Sequence, residues 1–417
     1  MKFDTIIIGG GLAGLTCGIR LQQQGQRCAI ISAGQSALHF SSGSFDLLSH
    51  DAQGKDVINP LDAVSQLNEE HPYHKIGDAL ESYAEMAREQ LSAAGVEVQG
   101  GAARNHYRYT PMGTLQPTWL TFAELATAKS LDGTPKGKIL IANFAGFLDF
   151  NTNFIFNSLQ KGGAQCDLTA IEIEGIERLR VSPTEMRAAN IAKALEFEDT
   201  FEALVAKLNS VSRGYDWVVL PAVFGFKQTT LIKRLEKEVN VKLMILPTMP
   251  PSVPGVRTQM ALRREFERLG GVYMLGDTIL KADVENQRVK RLFSVNHVEI
   301  PLTAQNFVLA TGHFFSGGVR ATISEIHEPI FGCDVDYLEG RDQWYDQDVF
   351  KKHNFSSFGV ATDSQFRVKK QGVAFENLYA VGSVLSGANS LAEGSGAGVS
   401  MLTALYVADQ VMKGQVK

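Results

Sequence analysis

Three observations predict an α/β chain: a mostly parallel, doubly wound sheet into which a second domain is inserted. The chain opens on a strand, a glycine-rich turn, a helix and a second strand. Two later apolar strands, at 307–310 and 378–381, end in Thr311-Gly312 and in Gly382. From about 101 to 254 the composition changes to aromatic strands, polar helices and a proline-rich strap.

In the opening unit each residue type has a reason. Residues 4–8 close on three isoleucines, as a strand buried on both faces does. Gly9, Gly11 and Gly14 keep the G-x-G-x-x-G spacing. Gly9 permits the tight turn, Gly11 lets backbone approach a phosphate, and Gly14 lets the helix pack closely on the sheet. Residues 13–24 have helical periodicity, and 28–31 (C-A-I-I) read as the second strand. Free N–H groups and the helix dipole both favour an anion at the helix start.

The remaining elements follow in order. Residues 32–54 are a loop rich in serine and glycine, including Ser41, Ser42, Gly43 and Ser44. Helices are expected at 59–68 and 76–94, and a short strand at 96–98. Inside the insertion, 168–179 alternates like an edge or hairpin strand and 183–208 reads as one helix. Four prolines between 247 and 254 make a stiff strap, followed by an amphipathic helix at 257–269 and a strand at 272–275. A hairpin is expected from 289–293 and 297–301. The strand at 307–310 ends in Thr311-Gly312, and the strand at 378–381 ends in Gly382-Ser383. The acidic stretch 334–348, with Trp344 and Tyr345, reads as a surface or partner contact, and a helix from about 396 to 412 closes the chain.

A net charge of −5 and a pI near 6.0 argue against nucleic acid as a partner. Four scattered cysteines form no C-x-x-C pair, which fits free thiols and argues against a self-contained iron–sulfur cluster. His71 and His74 are three apart, but no further ligand completes a metal site. No signal peptide is expected, and no apolar run reaches the roughly 18 residues of a membrane span.

Glycine-bearing strand ends at Gly9–Gly14, Thr311-Gly312 and Gly382 converge at one sheet edge in a doubly wound fold. Together they resemble the flavin-binding domain of two-domain flavoprotein oxidoreductases, a Rossmann-like FAD/NAD(P)-binding fold. The resemblance divides the chain into a flavin-binding domain, 1–100 with 255–417, and an inserted substrate, cap or partner-contact domain, 101–254. Over finer segments the sequence resembles the B subunits of anaerobic glycerol-3-phosphate dehydrogenases. Those segments are D-T-I-I-I-G-G-G-L-A-G-L-T-C-G, S-S-G-S-F-D-L-L, L-P-T-M-P-P-S-V-P-G, V-L-A-T-G-H-F-F-S-G-G and A-V-G-S-V-L-S-G. The resemblance implies an FMN-containing protein paired with an FAD-containing catalytic partner, the A chain of such complexes. It also implies an iron–sulfur, membrane-associated partner, the C chain, that passes electrons from glycerol 3-phosphate to menaquinone. The chain would then be cytoplasmic, peripheral to the inner membrane through its complex.

Two departures bear on the cofactor. Ser32 stands where a dinucleotide unit places an acid for the adenosine ribose, and Ser383 follows Gly382 where FAD enzymes carry aspartate. FMN is therefore the expected cofactor, with FAD the alternative. Gly9, Gly11 and Gly14 are assigned to the phosphate, and Ser32 marks the ribose position. Ser41, Ser42, Gly43 and Ser44, with Thr311, Gly312, Gly382 and Ser383, are assigned to the flavin. Asn389, Ser390, Glu393 and Gly394 serve cap chemistry equally well. His39 and His313 are the candidate proton-relaying residues, and Arg257 and Arg320 candidate anion forks. Two further readings stay open: a self-sufficient FAD oxidoreductase acting on another small substrate, and a docking protein that retains the fold without catalysis.

Overall fold

The computed structural model describes residues 1–227 and 230–415. Its central sheet has six strands, in the order Val272–Leu275, Cys28–Ser32, Thr5–Ile8, Asn306–Leu309, Val373–Ala380 and Arg367–Lys370. The first five are parallel and the last is antiparallel. Strand β1 (Thr5–Ile8) lies between β2 (Cys28–Ser32) and Asn306–Leu309, with Thr5 level with both Cys28 and Asn306. Every residue of β1 and β2 is buried, which is why both read as unbroken apolar runs. Helix α1 (Leu12–Gln23) packs between the helices Val253–Arg268 and Gly396–Gln415.

A second parallel sheet lies wholly within the insertion, in the order Gln165–Ile171, Lys138–Phe144, Trp217–Pro221 and Lys242–Leu246. Strand pairing nevertheless crosses the expected boundary after residue 100. Leu120–Phe122 pairs with both Ser44–Phe45 and Val98–Gly100, stitching the serine loop to the insertion.

Several expected elements are corrected. The edge strand ends at Ile171, and the glutamate-rich stretch after it turns into the short helix Glu174–Glu177. The single helix at 183–208 is two, Ala188–Ala194 and Glu198–Val211. The helix after the strap starts at Val253, because Pro254 is tolerated in a first turn and Ser252 Oγ accepts the Gly255 N–H at 3.0 Å. The hairpin joins Ile279–Glu285 to Arg288–Ser294 instead of using 297–301. Asn286 and Gln287, both at positive φ, make its two-residue turn. Trp344 is buried, its indole N–H donating to the Leu338 carbonyl at 2.7 Å, while Tyr345 is half exposed. Among the described residues, no helix is long and apolar enough to cross a membrane, and the four cysteines are buried and unpaired.

Candidate functional site

The carboxyl ends of the parallel strands open into one cavity of about 1210 Å³. Its floor is the turn after β1, from Ile8 to Ala13. One arm runs along Ser32–Leu38 to Asp277–Leu280, beyond the ends of β2 and Val272–Leu275. The other is lined by Ala310–Gly312, Val381, Ser383 and the start of the last helix, with Ser41, Ser42, Ser44, Asp46 and Arg108 across from it.

What each turn glycine would meet as alanine separates fold from function. A Cβ on Gly9 would stand 2.1 Å from the Ala310 carbonyl oxygen, and one on Gly14 would stand 1.9 Å from the Gly9 carbonyl oxygen. Those two glycines are required by close backbone packing. Gly11 differs: its backbone is extended at φ −81°, and the nearest atom to a Cβ would be Ser36 Cβ at 3.8 Å. Neither conformation nor neighbours demand glycine there, yet Gly11 lines the cavity and starts α1 without a side-chain cap. The cradle that a side chain at Gly11 would fill fits a phosphate on the first-turn amides. Thr311 Oγ1, buried on the cavity wall, has no partner among the described residues and fits the same group's polar edge.

Of the predicted residues, Gly9, Gly11, Ser32, Ser41, Ser42, Ser44, Thr311, Gly312 and Ser383 line this cavity. Gly14, Gly43 and Gly382 support it from behind. Gly43 packs on Leu125 and Pro254, and Gly382 packs on Ala13 with its N–H donating to Thr403 Oγ1 at 2.9 Å. The imidazoles of His39 and His313 are not on the cavity wall. His313 Nε2 lies 2.7 Å from the Phe358 carbonyl oxygen, and burial pushes its pKa down, so it is neutral near pH 7. Burial also lowers His39.

Arg320 lines the cavity, whereas Arg257 does not. Arg257 pairs with Glu124 and lies over the Phe122 ring, 5.0 Å from its centroid, beside a separate cleft. Sequence reasoning missed Arg108, which donates to Ser42 Oγ at 3.3 Å and lies 3.7 Å from Asp46. Asp46 in turn accepts from Thr118 Oγ1 at 2.5 Å. It weighed His71 only as a metal ligand and missed its pairing with Glu393: the ring is wholly buried, with Nε2 3.3 Å from Glu393 Oε2. Burial raises the Glu393 carboxyl, but His71, the Asn389 N–H and the Ser395 hydroxyl outweigh it and hold the pKa below the usual value. That group fixes the 389–396 loop, which borders the cavity.

A family model described as a FAD binding domain matches residues 4–399. The chain is 42% identical over 417 residues to the B subunit of the anaerobic glycerol-3-phosphate dehydrogenase of Yersinia enterocolitica, covering 99% of this chain and 98% of that one. It is 40% identical to the B subunit of the Pectobacterium atrosepticum enzyme, covering 99% of each. It is 38% identical over 425 residues to that of Glaesserella parasuis, covering 99% of this chain and all of the relative.

Proposed function

Because the chain belongs to the family of anaerobic glycerol-3-phosphate dehydrogenase B subunits, we propose that it is the flavin-carrying member of a quinone-linked dehydrogenase complex. The observation that carries this reading is the end-to-end identity of 42% to a family member, in a chain whose strand ends enclose a cavity with a phosphate cradle. A bound flavin supplies redox reactivity, and the protein supplies placement and electrostatics. The amides from Gly11 onward would hold its phosphate, and the hydroxyls of Ser41, Ser42, Ser44 and Thr311 would meet its polar edges. Arg108, anchored by Asp46, holds the serine loop in place across the cavity.

Which flavin is bound is the finer part of the proposal. Ser32 and Ser383 favour FMN, but the arm from Ser32 to Leu280 supports FAD, since a mononucleotide leaves it unfilled. On this reading an FAD-containing catalytic partner oxidises glycerol 3-phosphate, and an iron–sulfur partner at the membrane passes electrons to menaquinone. The chain itself lies at the cytoplasmic face of the inner membrane, held by those two proteins. The test is mass analysis of flavin released from this chain purified alone, with anaerobic reduction of that flavin by glycerol 3-phosphate followed with and without the partners. Stoichiometric FAD, reduced only when the partners are present, is expected. FMN would overturn the choice of cofactor, a colourless protein the flavin reading, and reduction without partners the division of labour.

A further inference from the structure

The glycine turn is gripped from outside the cavity by side chains that carry no charge. The Gly10 carbonyl accepts from Gln259 Nε2 at 3.0 Å and from the Tyr273 hydroxyl at 3.2 Å. The second Gln259 amide hydrogen goes to the Tyr273 oxygen at 3.2 Å, and Gln259 Oε1 accepts from the Ser36 hydroxyl. Every hydrogen of this group is used: two from the amide and one from each hydroxyl. Ser32 Oγ turns to the Gly34 carbonyl at 2.9 Å. A Cβ on Gly10 would fall 2.0 Å from the Tyr273 hydroxyl and 2.7 Å from Ser32 Oγ, so the turn seats on this group only as glycine. Gln259 is 5% exposed, and the guanidinium of Arg263 lies 4.6 Å from the centroid of the Tyr273 ring.

We infer that Gln259 and Tyr273 are positioning residues for the cofactor phosphate, and that this neutral clamp disfavours the acid usually found at the end of the second strand. The argument is planar geometry. The Gly10 carbonyl and the Gly11 N–H belong to one trans peptide unit and point in opposite directions. Two donors that fix the carbonyl therefore fix the aim of the first amide at the cradle. A carboxylate in place of Ser32 would enter beside the Gly10 carbonyl and the Tyr273 hydroxyl, where it competes for the one phenolic hydrogen.

This rests on the flavin reading above, and the experiment separates the two. The purified protein is stripped of flavin and titrated with FAD and with riboflavin, which has the same ring and no phosphate. Gln259→Leu and Tyr273→Phe are each expected to weaken FAD about tenfold while riboflavin changes by less than about twofold. Ser32→Glu is expected to weaken FAD as well. Unchanged FAD affinity in both clamp variants, parallel loss of both ligands, or tighter FAD binding by Ser32→Glu would overturn the clamp. A wild-type chain that takes up no flavin would overturn both readings. Should Gln259→Leu fail to fold, Tyr273→Phe, which removes a single oxygen, carries the same test.

Discussion

Substituting Gly11 separates the stability of the turn from its ability to hold a phosphate. At Gly11 the backbone is extended and a Cβ meets nothing closer than 3.8 Å, so the empty protein has room for a side chain. Replacing glycine at a compatible site stabilises by about 0.4–1 kcal/mol through the unfolded chain. Against that, glycine is the better N-cap, and losing it costs roughly 0.5–1 kcal/mol. The two nearly cancel, and Gly11→Ala should leave the thermal midpoint of the flavin-free protein within about 2 °C of wild type. The same Cβ occupies the cradle. Displacing a phosphate from one charge-assisted hydrogen bond costs about 1.5–3 kcal/mol, a loss of roughly 10- to 150-fold in flavin affinity. Gly11→Val, with two further methyls, should purify without flavin. The assay is the flavin-to-protein absorbance ratio beside the melting curve of the stripped protein. In contrast, Gly14→Ala places a Cβ 1.9 Å from the Gly9 carbonyl oxygen and should destabilise the fold itself. If Gly11→Val retains full flavin with an unaltered visible spectrum, the phosphate lies elsewhere and the reasoning from open space is wrong.

Two further outcomes follow from the surroundings of the cavity. Glu393 is held below its usual pKa by His71 and its other donors despite burial, so its contribution is present above the unfolded value of about 4.3 and is lost as pH falls through the lower folded value. Glu393→Gln should flatten the fall in melting temperature below about pH 4, and an unchanged acid slope would contradict the assignment. His313 is neutral and committed to the Phe358 carbonyl, a bond that a glutamine amide can replace. His313→Gln is therefore expected to keep its flavin, and its turnover within the assembled complex should stay within about twofold across pH 6–8; a lost or shifted pH profile would restore His313 as a proton carrier.

The parts of this fold that could be read in advance are those with a local pattern. β1, β2 and the strands near 307 and 378 are buried on both faces and announce themselves as apolar runs, three of them leading into the glycines Gly9, Gly312 and Gly382. The cradle followed because the spacing of Gly9, Gly11 and Gly14 belongs to one turn. Gln259 and Tyr273 were invisible because their meeting with Gly10 spans about 250 residues and leaves no period in the sequence. Arg108 was hidden likewise, since the insertion meets the serine loop through pairings such as that of Leu120–Phe122 with Ser44–Phe45, which leave no local pattern. The hairpin was misplaced because its turn is Asn286-Gln287, without the glycine that usually marks one. Trp344 looked like surface from the acids around it, yet its ring had the Tyr337 ring to pack against.

The order of strands in the central sheet also sets when this protein can become itself. β1 leaves the ribosome before either of its neighbours, and one of them, Asn306–Leu309, lies about 300 residues later. At 5–20 residues per second that is a wait of about 15–60 s with an apolar edge unpaired. The sheet between residues 138 and 246 needs nothing outside itself for its pairing and can close during that interval. The cavity cannot, because Thr311 and Ser383 on its wall are still unmade. On the flavin reading proposed above, the cofactor therefore enters only after the strands near 307 and 378 have been made. Chains halted at residue 300 should yield a protease-resistant fragment around 138–246 and take up no flavin; uptake by such a chain would show that the opening unit folds alone.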